Sequence, residues 1–477
     1  MQCFGMRCWG LLAAVVGLVR AELLVTTGRV DVAIPTVEHR IYEQRWVVNQ
    51  HGYQHVQKIH LSIPGRVFIS HAYDFGPDPP DAPVGHVGSP VAHIRISGNE
   101  EDLLQFFEVV ATGSDTIEIR QRSDFQGVLT DAYMLTEISL VRSHAIHTVI
   151  THGSGDVVVE DQVLVSDPVV ADKLELQKKG SGTLFVKTST PVRVNQAVIK
   201  MEGRGDLFWS MSELVTTALN LSTSGAGDVV IQTPRLLATT LSASTKGAGD
   251  VCVQASDLVA TTIIPSIFGA GDISIKSNRG RATHEQITLT GSGDVMLGEV
   301  LAEDVTVRAV GPGDVTVQAT ESISGTRIGG GSVHYVGSFV PKRVSDRSNS
   351  HVFSTSDKSS YKPIAKSGHL NFDFPCKVEA IPPRQTGKVE LLVRMNWTWT
   401  MPLPPLLFLA FLSLCYLRGE MKRRRQPTRR NLVRFHSMPA PSNLEMRPLI
   451  PQQSMPLQPR QHPPQQQPQY QSTQVYV

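Results

Sequence analysis

The sequence predicts an all-β fold, a β-solenoid of about nine coils with a β-rich N-terminal cap, followed by one transmembrane helix and a disordered tail. Three observations predict the solenoid. A Gly-x-Gly-Asp turn recurs at a period close to 22 residues, apolar residues alternate on either side of it, and Gly, Thr, Ser, Val and Ile dominate the repeats. A fixed period of this size is typical of stacked repeats. A helical solenoid is disfavoured, because these residues are poor helix formers and no apolar stripe of helical period is present.

The repeated turn contains two glycines and, in most copies, an aspartate. The central copies begin 22 residues apart, and the spacing drifts towards both ends, as expected when the terminal coils are caps. Two copies are degenerate, with Thr183 and Ser332 in place of the aspartate. The structural turn residues are Gly153, Gly155, Asp156, Gly203, Gly205, Asp206, Gly225, Gly227, Asp228, Gly247, Gly249, Asp250, Gly269, Gly271, Asp272, Gly291, Gly293, Asp294, Gly311, Gly313 and Asp314.

Each turn lies between two predicted strands. The positions one and three places after the aspartate are apolar, as at Val229 and Ile231, and a second alternating pair precedes the turn, as at Leu219 and Leu221. Alternation with a period of two indicates a strand with one buried face. A leucine eleven places before the turn, such as Leu236, marks a third side of each coil.

Stacking the coils in parallel places the aspartates one above another. Neighbouring carboxylates at this spacing repel by about 1 kcal/mol in water, so something must offset the repulsion. Either each carboxylate accepts backbone N–H groups within its own turn, or cations lie between the rungs. The first is favoured, because no coil carries the further oxygen ligands of a calcium loop. We therefore predict no metal site, no cofactor and no catalytic residue.

The N-terminal part divides into three predicted segments. Residues 1–21 have the charge, the apolar run and the cleavage site of a secretory signal peptide, the alternative being a buried N-terminal element. Residues 22–56 form an N-terminal β segment. Residues 57–152 are β-rich without a period, include a hairpin around Pro64-Gly65, and cap the solenoid, which covers residues 153–340.

The C-terminal part predicts a membrane anchor. Residues 341–394 read as a stalk or linker, residues 395–417 carry no charge and read as a transmembrane helix, and residues 418–477 form a disordered tail that is first basic and then rich in Pro and Gln. Prolines weaken the first half of the span, so a buried or peripheral segment is the alternative. The basic flank places the tail in the cytoplasm, which predicts a single-pass type I protein of the plasma membrane with its N-terminus outside.

The five cysteines fall in different predicted segments of the chain. Cys3 and Cys8 fall in the predicted signal and Cys415 in the predicted span, which leaves Cys252 and Cys376. These two could pair, or Cys252 could be a small buried residue of its strand. We predict the second, without a disulfide.

Three short motifs could act at the protein surface: two N-glycosylation sequons and one Arg-Gly-Asp tripeptide. Asn220 and Asn396 are candidate glycosylation sites, and Asn396 lies close to the predicted membrane. The tripeptide Arg204-Gly205-Asp206 matches an integrin-binding motif, but the repeat itself supplies Gly-x-Gly-Asp, so we interpret it as structural. The terminal Val477 could place the tail in the groove of a PDZ-like cytoplasmic partner.

The repeated Gly-Ser/Ala-Gly-Asp turns, preceded by a β-rich segment, resemble the bacterial family called putative auto-transporter adhesin, head GIN domain. The similarity covers roughly residues 57–340 and carries onto Gly225, Gly227 and Asp228 and their equivalents. The resemblance implies a right-handed parallel β-helix and no catalytic residues. The predicted membrane span and cytoplasmic tail depart from that pattern.

Two functions from different classes are consistent with these features. The first is a cell-surface binding, adhesion or structural ectodomain whose extracellular ligand is a protein or a glycan. The alternative is a carbohydrate-active β-helix enzyme, which needs a cleft with an acid and a base. The central coils leave no room for long loops, which favours the first function. Nucleic acid is not expected as a partner, since the formal net charge is only +2.

Overall fold

The computed structural model describes residues 23–33, 38–50, 55–72, 88–123, 132–167, 172–336, 343–346, 361–364 and 379–389. All of them belong to one compact unit, Met1–Asn396; a second unit, Trp397–Val477, lies outside the described residues. The predicted signal peptide, span and tail, the sequon at Asn396 and every cysteine except Cys252 also lie outside them. Within the described ranges, no helix is long and apolar enough to cross a membrane.

The N-terminal cap combines antiparallel strands with one short helix. Strand β1 pairs with β2, β2 with β5, β5 with β8, and β6 with β7, all antiparallel. The elements are β1 (Leu23–Val32), β2 (Tyr42–Gln50), β3 (Lys58–Ser62), β4 (Arg66–His71), β5 (Pro90–Gly98), α1 (Glu101–Gln105), β6 (Phe107–Thr112), β7 (Thr116–Gln121) and β8 (Ala132–Leu140). Strands β7 and β8 also pair in parallel with β3 and β4, so the cap covers the edges of the first coil.

The solenoid follows as a series of strands that pair in parallel with the strands one coil away. They are β9 (Thr148–His152), β10 (Val157–Val159), β11 (Lys173–Gly180), β12 (Leu184–Thr188), β13 (Val192–Gly203), β14 (Leu207–Met211), β15 (Glu213–Gly225), β16 (Val229–Gly247), β17 (Val251–Gly269), β18 (Ile273–Gly291), β19 (Val295–Val310), β20 (Val315–Ile328) and β21 (Val333–Val336). The segments before the Gly turns form a first sheet, and the segments after the turns form a second. The prediction of an all-β solenoid is confirmed.

A third side closes the coils and sets their number. Its paired segments belong to β13, β15, β16, β17, β18, β19 and β20. The solenoid therefore has about seven complete three-sided turns rather than the nine coils predicted. The outermost Gly turns, at Gly153 and Gly329, stack on the same column, and the third side beside Gly153 is reduced to an isolated parallel bridge between Ile146 and Leu164.

The prediction of a hairpin around Pro64-Gly65 is wrong. Strands β3 and β4 do not pair with each other: β3 pairs in parallel with β7 and β9, and β4 with β8 and β10. A Cβ added to Gly155 would lie 2.0 Å from the carbonyl oxygen of Gly65, so the two turns are stacked. The segment is therefore an additional coil that uses a Pro-Gly turn in place of the repeated motif.

The interior is filled by the apolar residues that the alternation predicts. Leu214, Leu236 and Leu258 of the third side are fully buried, as are Val229 and Ile231 after the turn. One continuous apolar cluster runs from the cap to the last coil. At about 25 cal/mol per Å² of buried apolar surface, this continuous core is the main term that stabilises the stack.

Three further strands lie in the stretch predicted to be a stalk. Strand β22 (Arg343–Asp346) continues the first sheet beside β20, and β23 (Tyr361–Ile364) continues the second beside β21. Strand β24 (Gly387–Val389) pairs antiparallel with β8 of the cap. The chain therefore returns from the last coil to the N-terminal end of the solenoid.

Candidate functional site

The Gly-x-Gly-Asp turns form one column, and the two glycines are needed for different reasons. The first adopts a left-handed backbone, with φ of +128° at Gly225 and +127° at Gly247. The second is needed because the next coil passes close by: a Cβ on Gly227 would lie 1.8 Å from the carbonyl oxygen of Gly205. Only glycine satisfies both conditions without moving the backbone.

The aspartates of the column are bonded between coils. Oδ1 of Asp228 accepts the backbone N–H of Asp250 at 2.8 Å, and Oδ1 of Asp250 accepts that of Asp272 at 2.6 Å. The same bond joins Asp206 to Asp228, Asp272 to Asp294 and Asp294 to Asp314. The expectation that each carboxylate bonds within its own turn is therefore wrong; each ties its turn to the next.

The two degenerate turns donate the same backbone hydrogen bond. The backbone N–H of Thr183 donates to Oδ1 of Asp156 at 3.1 Å, and that of Ser332 donates to Oδ1 of Asp314 at 2.7 Å. A backbone donor needs no particular side chain, which explains why Thr and Ser are tolerated there. The Asp206 of the Arg-Gly-Asp tripeptide makes this bond too.

Burial shifts the pKa of three aspartates in the column. Loss of water raises the pKa of Asp228, Asp250 and Asp294, since burial penalises a charged carboxylate, and like charges on neighbouring rungs act in the same direction. The backbone hydrogen bonds oppose the shift. The pKa of Asp250 still rises to about 6. Among the described residues, no three His, Cys, Asp or Glu side chains are placed to hold a metal ion.

The outward face of the first sheet is flat and rich in small hydroxyls. Ser222, Ser244 and Ser266 share one register row, and the sequon residue Asn220 lies half-buried in the row beside it. Phe268 is 49 % exposed at the end of this face next to the turns. A glycan on Asn220 would stand on this face.

The outward face of the second sheet is buried, which the sequence analysis missed. One register row follows the position between the two inward residues of each strand. Its first six members are Phe68, Val158, Phe185, Phe208, Val230 and Cys252, and the row continues with the buried Ser274, Met296 and Thr316. All six are at most 5 % exposed. We call these residues the outward row. Runs of three apolar residues, such as Val229-Val230-Ile231, are the signal that could have predicted a sheet buried on both faces.

The prediction of no disulfide is wrong. Cys252 is disulfide-bonded. The prediction treated it as a buried strand residue, and it is fully buried. Burial on the outward side of the sheet, however, means that another part of the protein covers it.

The third side presents an exposed face whose centre is apolar. Val215, Leu237 and Val259 occupy one register row, with Arg193 at one end and Arg281 at the other. Val259 is 50 % exposed. A shallow groove of about 460 Å³ lies here, lined in part by Thr217 and Thr239. We call this surface the third-side face.

A ladder of alternating charges borders this apolar row. Arg235 Nη1 donates to Glu213 Oε1 at 3.0 Å, and Arg193 Nη2 donates to Glu213 Oε2 at 3.2 Å. Arg279 Nη2 donates to Asp257 Oδ2 at 2.6 Å. Because the arginine side chains are more than half exposed, each ion pair adds little stability. Their exposed guanidinium groups remain available to acceptors of a ligand.

A second groove lies at the corner between the second sheet and the third side. Its volume is about 560 Å³, and its lining is mainly polar. The lining includes Gln232, Gln254, Lys276, Asn278 and Glu299.

Comparison with known families decides the classification. The family described as putative auto-transporter adhesin, head GIN domain, matches residues 87–278 and 260–338, more than half of the chain. The chain belongs to this family. The resemblance carried by the Gly-x-Gly-Asp turns is thereby confirmed, and the head GIN domain comprises the later part of the cap and the solenoid to beyond its last turn.

Solved structures that match this chain include proteins of Parabacteroides and Bacteroides species. A putative lipid binding protein and a putative adhesin, both from Parabacteroides distasonis ATCC 8503, are 13% and 12% identical over 72% of this chain and 97% of theirs, each with a TM-score of 0.32. A putative adhesin from Bacteroides fragilis NCTC 9343 is 16% identical over 72% of this chain and 95% of its own, with a TM-score of 0.24. TM-scores this low carry no inference to the present chain. A search of curated proteins finds no match.

Proposed function

We propose that this chain is a single-pass type I protein of the cell surface whose head GIN domain is a non-catalytic binding module for adhesion. The family supports an adhesin-like β-solenoid. The membrane topology rests on the sequence: an apolar N-terminal run, 23 uncharged residues at 395–417, and the basic cluster that follows. The extracellular ligand is a protein or a glycan.

The third-side face is the observation that carries the binding role. An apolar row flanked by exposed arginines, beside a groove of about 460 Å³, combines the two features that recognition surfaces use. Arginine and exposed aliphatic residues contribute apolar contact, and the guanidinium groups fix orientation through hydrogen bonds. The rigid spacing of the coils holds these groups in place before a ligand arrives, which lowers the entropy lost on binding.

The aspartates of the turns support a binding module over the alternative enzyme. A glycoside hydrolase needs two carboxyl groups that face each other across a substrate. The ladder aspartates instead lie in one row, and each has an oxygen bonded to the backbone of the next coil. Their regular recurrence is accounted for by this structural bond.

The test is a binding assay with matched variants. The 22–394 fragment, displayed on beads, is applied to cells and to a glycan array. We expect Leu237→Glu and Val259→Glu to reduce binding at least tenfold, because a carboxylate would occupy the centre of the apolar row. Phe268→Glu is the control, since Phe268 is equally exposed on the first sheet. Loss of binding in the Phe268 variant but not in the other two would place the binding site on the first sheet instead of the third-side face. Absence of binding by the unmutated fragment would contradict the proposed function.

A further inference from the structure

We propose that the ligand of the third-side face is a second copy of this chain, which docks face to face with its solenoid axis reversed. The inference rests on the proposed binding function and names the partner for it. It is carried by the order of the charges that border the apolar row, because this order becomes complementary to itself when one of the two copies is reversed.

The charges beside the apolar row alternate in sign from coil to coil. Strand pairing arranges them in one register row, the charge ladder: Glu213, Arg235, Asp257 and Arg279. A second copy that is turned about an axis parallel to the strands presents the same four charges in the reverse order. Arg235 then faces Asp257 of the other copy, and Glu213 faces Arg279. Every member of the charge ladder therefore meets a charge of opposite sign.

The apolar row fits the same arrangement. It lies two residues after the charge ladder in each strand, and therefore on the same face of the coils. Leu237 and Val259 follow Arg235 and Asp257 at this distance, so the reversal that pairs these two charges also places Leu237 against Val259. Val259 is 50 % exposed, and the second copy would remove it from water. The apolar pair supplies contact area, and the charge pairs fix the register.

A parallel arrangement of the two copies is disfavoured. When the two-fold axis runs along the solenoid, each residue of the apolar row faces its own counterpart. Arg193 then faces Arg193, and Arg281 faces Arg281, at the two ends of this row. The charge ladder faces the threonines that follow the apolar row, such as Thr239, and meets no opposite charge. Because like charges in contact cost free energy, the charge order selects the antiparallel arrangement.

The exposed arginines have donors left for a second carboxylate. Within the part of the chain that the structure describes, the Arg235 guanidinium binds a carboxylate through Nη1, at Glu213. A guanidinium carries several further N–H donors. The side chain of Arg235 is 56 % exposed and that of Asp257 is 35 % exposed. Arg235 can therefore keep its bond to Glu213 and also donate to Asp257 of the second copy.

The size of the face indicates that a single pair of copies binds weakly. From Arg193 to Arg281 the face extends over roughly 19 Å, and its three outward rows cover about 13 Å along the strands, which gives about 250 Å² on each copy. A stable interface between proteins takes about 800 Å² per partner. We therefore expect adhesion to come from many copies on two opposing surfaces, with no stable dimer in dilute solution.

The test is a charge exchange in the full chain, displayed at high density on beads. Beads of two colours carry the chain through a biotin placed after Val477, and flow cytometry counts mixed-colour pairs. We expect the unmutated chain to pair. Arg235→Glu places two negative charges opposite each other, and Asp257→Arg places two positive charges there, so each variant should pair with itself at least tenfold less. A mixture of the two variants should recover pairing, which also shows that both fold.

The double variant Arg235→Glu/Asp257→Arg tests the direction of docking. Its two altered positions again carry opposite charges, so it should pair with itself. It should pair at least tenfold less with the unmutated chain, because like charges then face each other. Phe268→Glu is the control, since it adds a charge at an exposed position of the first sheet, and it should pair normally.

Three results would overturn the inference. Self-pairing that persists in both single variants would show that the copies do not meet at the charge ladder. A double variant that pairs with the unmutated chain and not with itself would contradict the antiparallel arrangement. Unmutated beads that do not pair, but bind glycans or cells without this chain, would exclude a second copy as the ligand and leave the proposed function standing. Absence of all binding would contradict both.

Discussion

At the scale of single residues, the aspartate column balances a hydrogen bond against a charge. Oδ1 of Asp250 accepts a backbone N–H from the next coil, which stabilises the stack. The same carboxylate is half-buried between two others, which raises its pKa to about 6. The sequence predicts the column and a hydrogen bond from each aspartate to the backbone. It does not predict that the donor belongs to the next coil, because this depends on the distance between stacked coils.

The pH dependence of Asp250 follows from this balance. Its pKa is near 3.8 when unfolded and about 6 when folded. A raised pKa means that its contribution to stability is fully present below pH 3.8 and is lost as the pH rises through about 6. We therefore expect the ectodomain to melt at a higher temperature at pH 5 than at pH 7, and this difference to shrink in Asp250→Asn. An unchanged difference in Asp250→Asn would show that Asp250 does not titrate in this range.

Substitutions at Asp250 also separate the hydrogen bond from the charge. Asn keeps an acceptor and removes a repelling charge, so stability at pH 7 should stay the same or rise slightly. Ala removes the acceptor and leaves the N–H of Asp272 unpaired, which should cost about 1 kcal/mol or more. Thermal melts of the three proteins, with and without chelator, make the comparison. Equal damage from Asn and Ala, together with a chelator-sensitive wild type, would indicate cations between the rungs.

The repeat predicts that Glu285 lies in the core. It does not predict the free-energy cost of burying the Glu285 carboxyl group there. Its register neighbours are Ile263 and Val305 of the adjacent coils, and it points into the core at 1 % exposure. Among the residues that the structure describes, neither carboxyl oxygen of Glu285 has a hydrogen-bond partner, and burial raises the pKa of this carboxyl well above its ordinary value. The stack therefore places a carboxyl group in an apolar site that favours its neutral form.

We expect Glu285→Leu to stabilise the solenoid by about 1 kcal/mol or more at pH 7, since it removes an unsatisfied polar group. Urea unfolding measures the change. Lys178→Met is the matched control: Lys178 is also interior, but its ammonium donates to the carbonyl oxygens of Gly153 and Gly155 at 3.2 and 2.9 Å. This control should lose stability. A destabilised Glu285→Leu would mean that the carboxyl has a role that its surroundings do not show.

At the scale of the elements, the 22-residue period and the alternation of apolar residues predict most strands of the solenoid. Strands on both sides of each turn and the inward leucines of the third side follow from residues such as Leu236 and Ile231. The Pro64-Gly65 turn between two strands predicts a hairpin from local sequence. The strands pair instead with segments that are far away in sequence, which a local pattern does not reveal. The cover of the second sheet was missed for the same reason.

The second glycine of each turn gives the sharpest test of an element. A Cβ on Gly249 would lie 2.2 Å from the carbonyl oxygen of Gly227, so the coils would have to separate. The need here is close approach and not a left-handed backbone, which belongs to Gly247. We expect Gly249→Val to destabilise the ectodomain by more than about 2 kcal/mol, as overpacking against a fixed backbone does.

The neighbouring residue supplies the control for this substitution. Ala248 is exposed between the two glycines, so Ala248→Val should change the melting temperature little. Both variants add the same branched side chain to the same turn, and only one of them points at the coil below. Equal melting temperatures for Gly249→Val and the wild type would contradict the stacking of the turns.

At the scale of the whole molecule, the solenoid is extended at both ends by strands outside the repeat. Strands β3 and β4 add a coil before Gly153, and β22 and β23 continue the sheets after the last turn. The sequence predicted a linker after residue 340, because few apolar runs occur there. Short strands that pair on an existing sheet edge need little apolar surface of their own, so composition does not reveal them.

Membrane topology is the prediction that belongs to the complete chain. We expect cleavage near Ala21 and a cytoplasmic C-terminus, because a long apolar run at 395–417 is followed directly by six Lys and Arg within nine residues. Protease added to intact cells should then remove an epitope placed near residue 30 and spare one placed at Val477. Detergent is the control, since both epitopes should be digested once the membrane is dissolved. Removal of the Val477 epitope from intact cells, with the other spared, would reverse the orientation. Release of both epitopes in a soluble fraction without detergent would contradict the span itself.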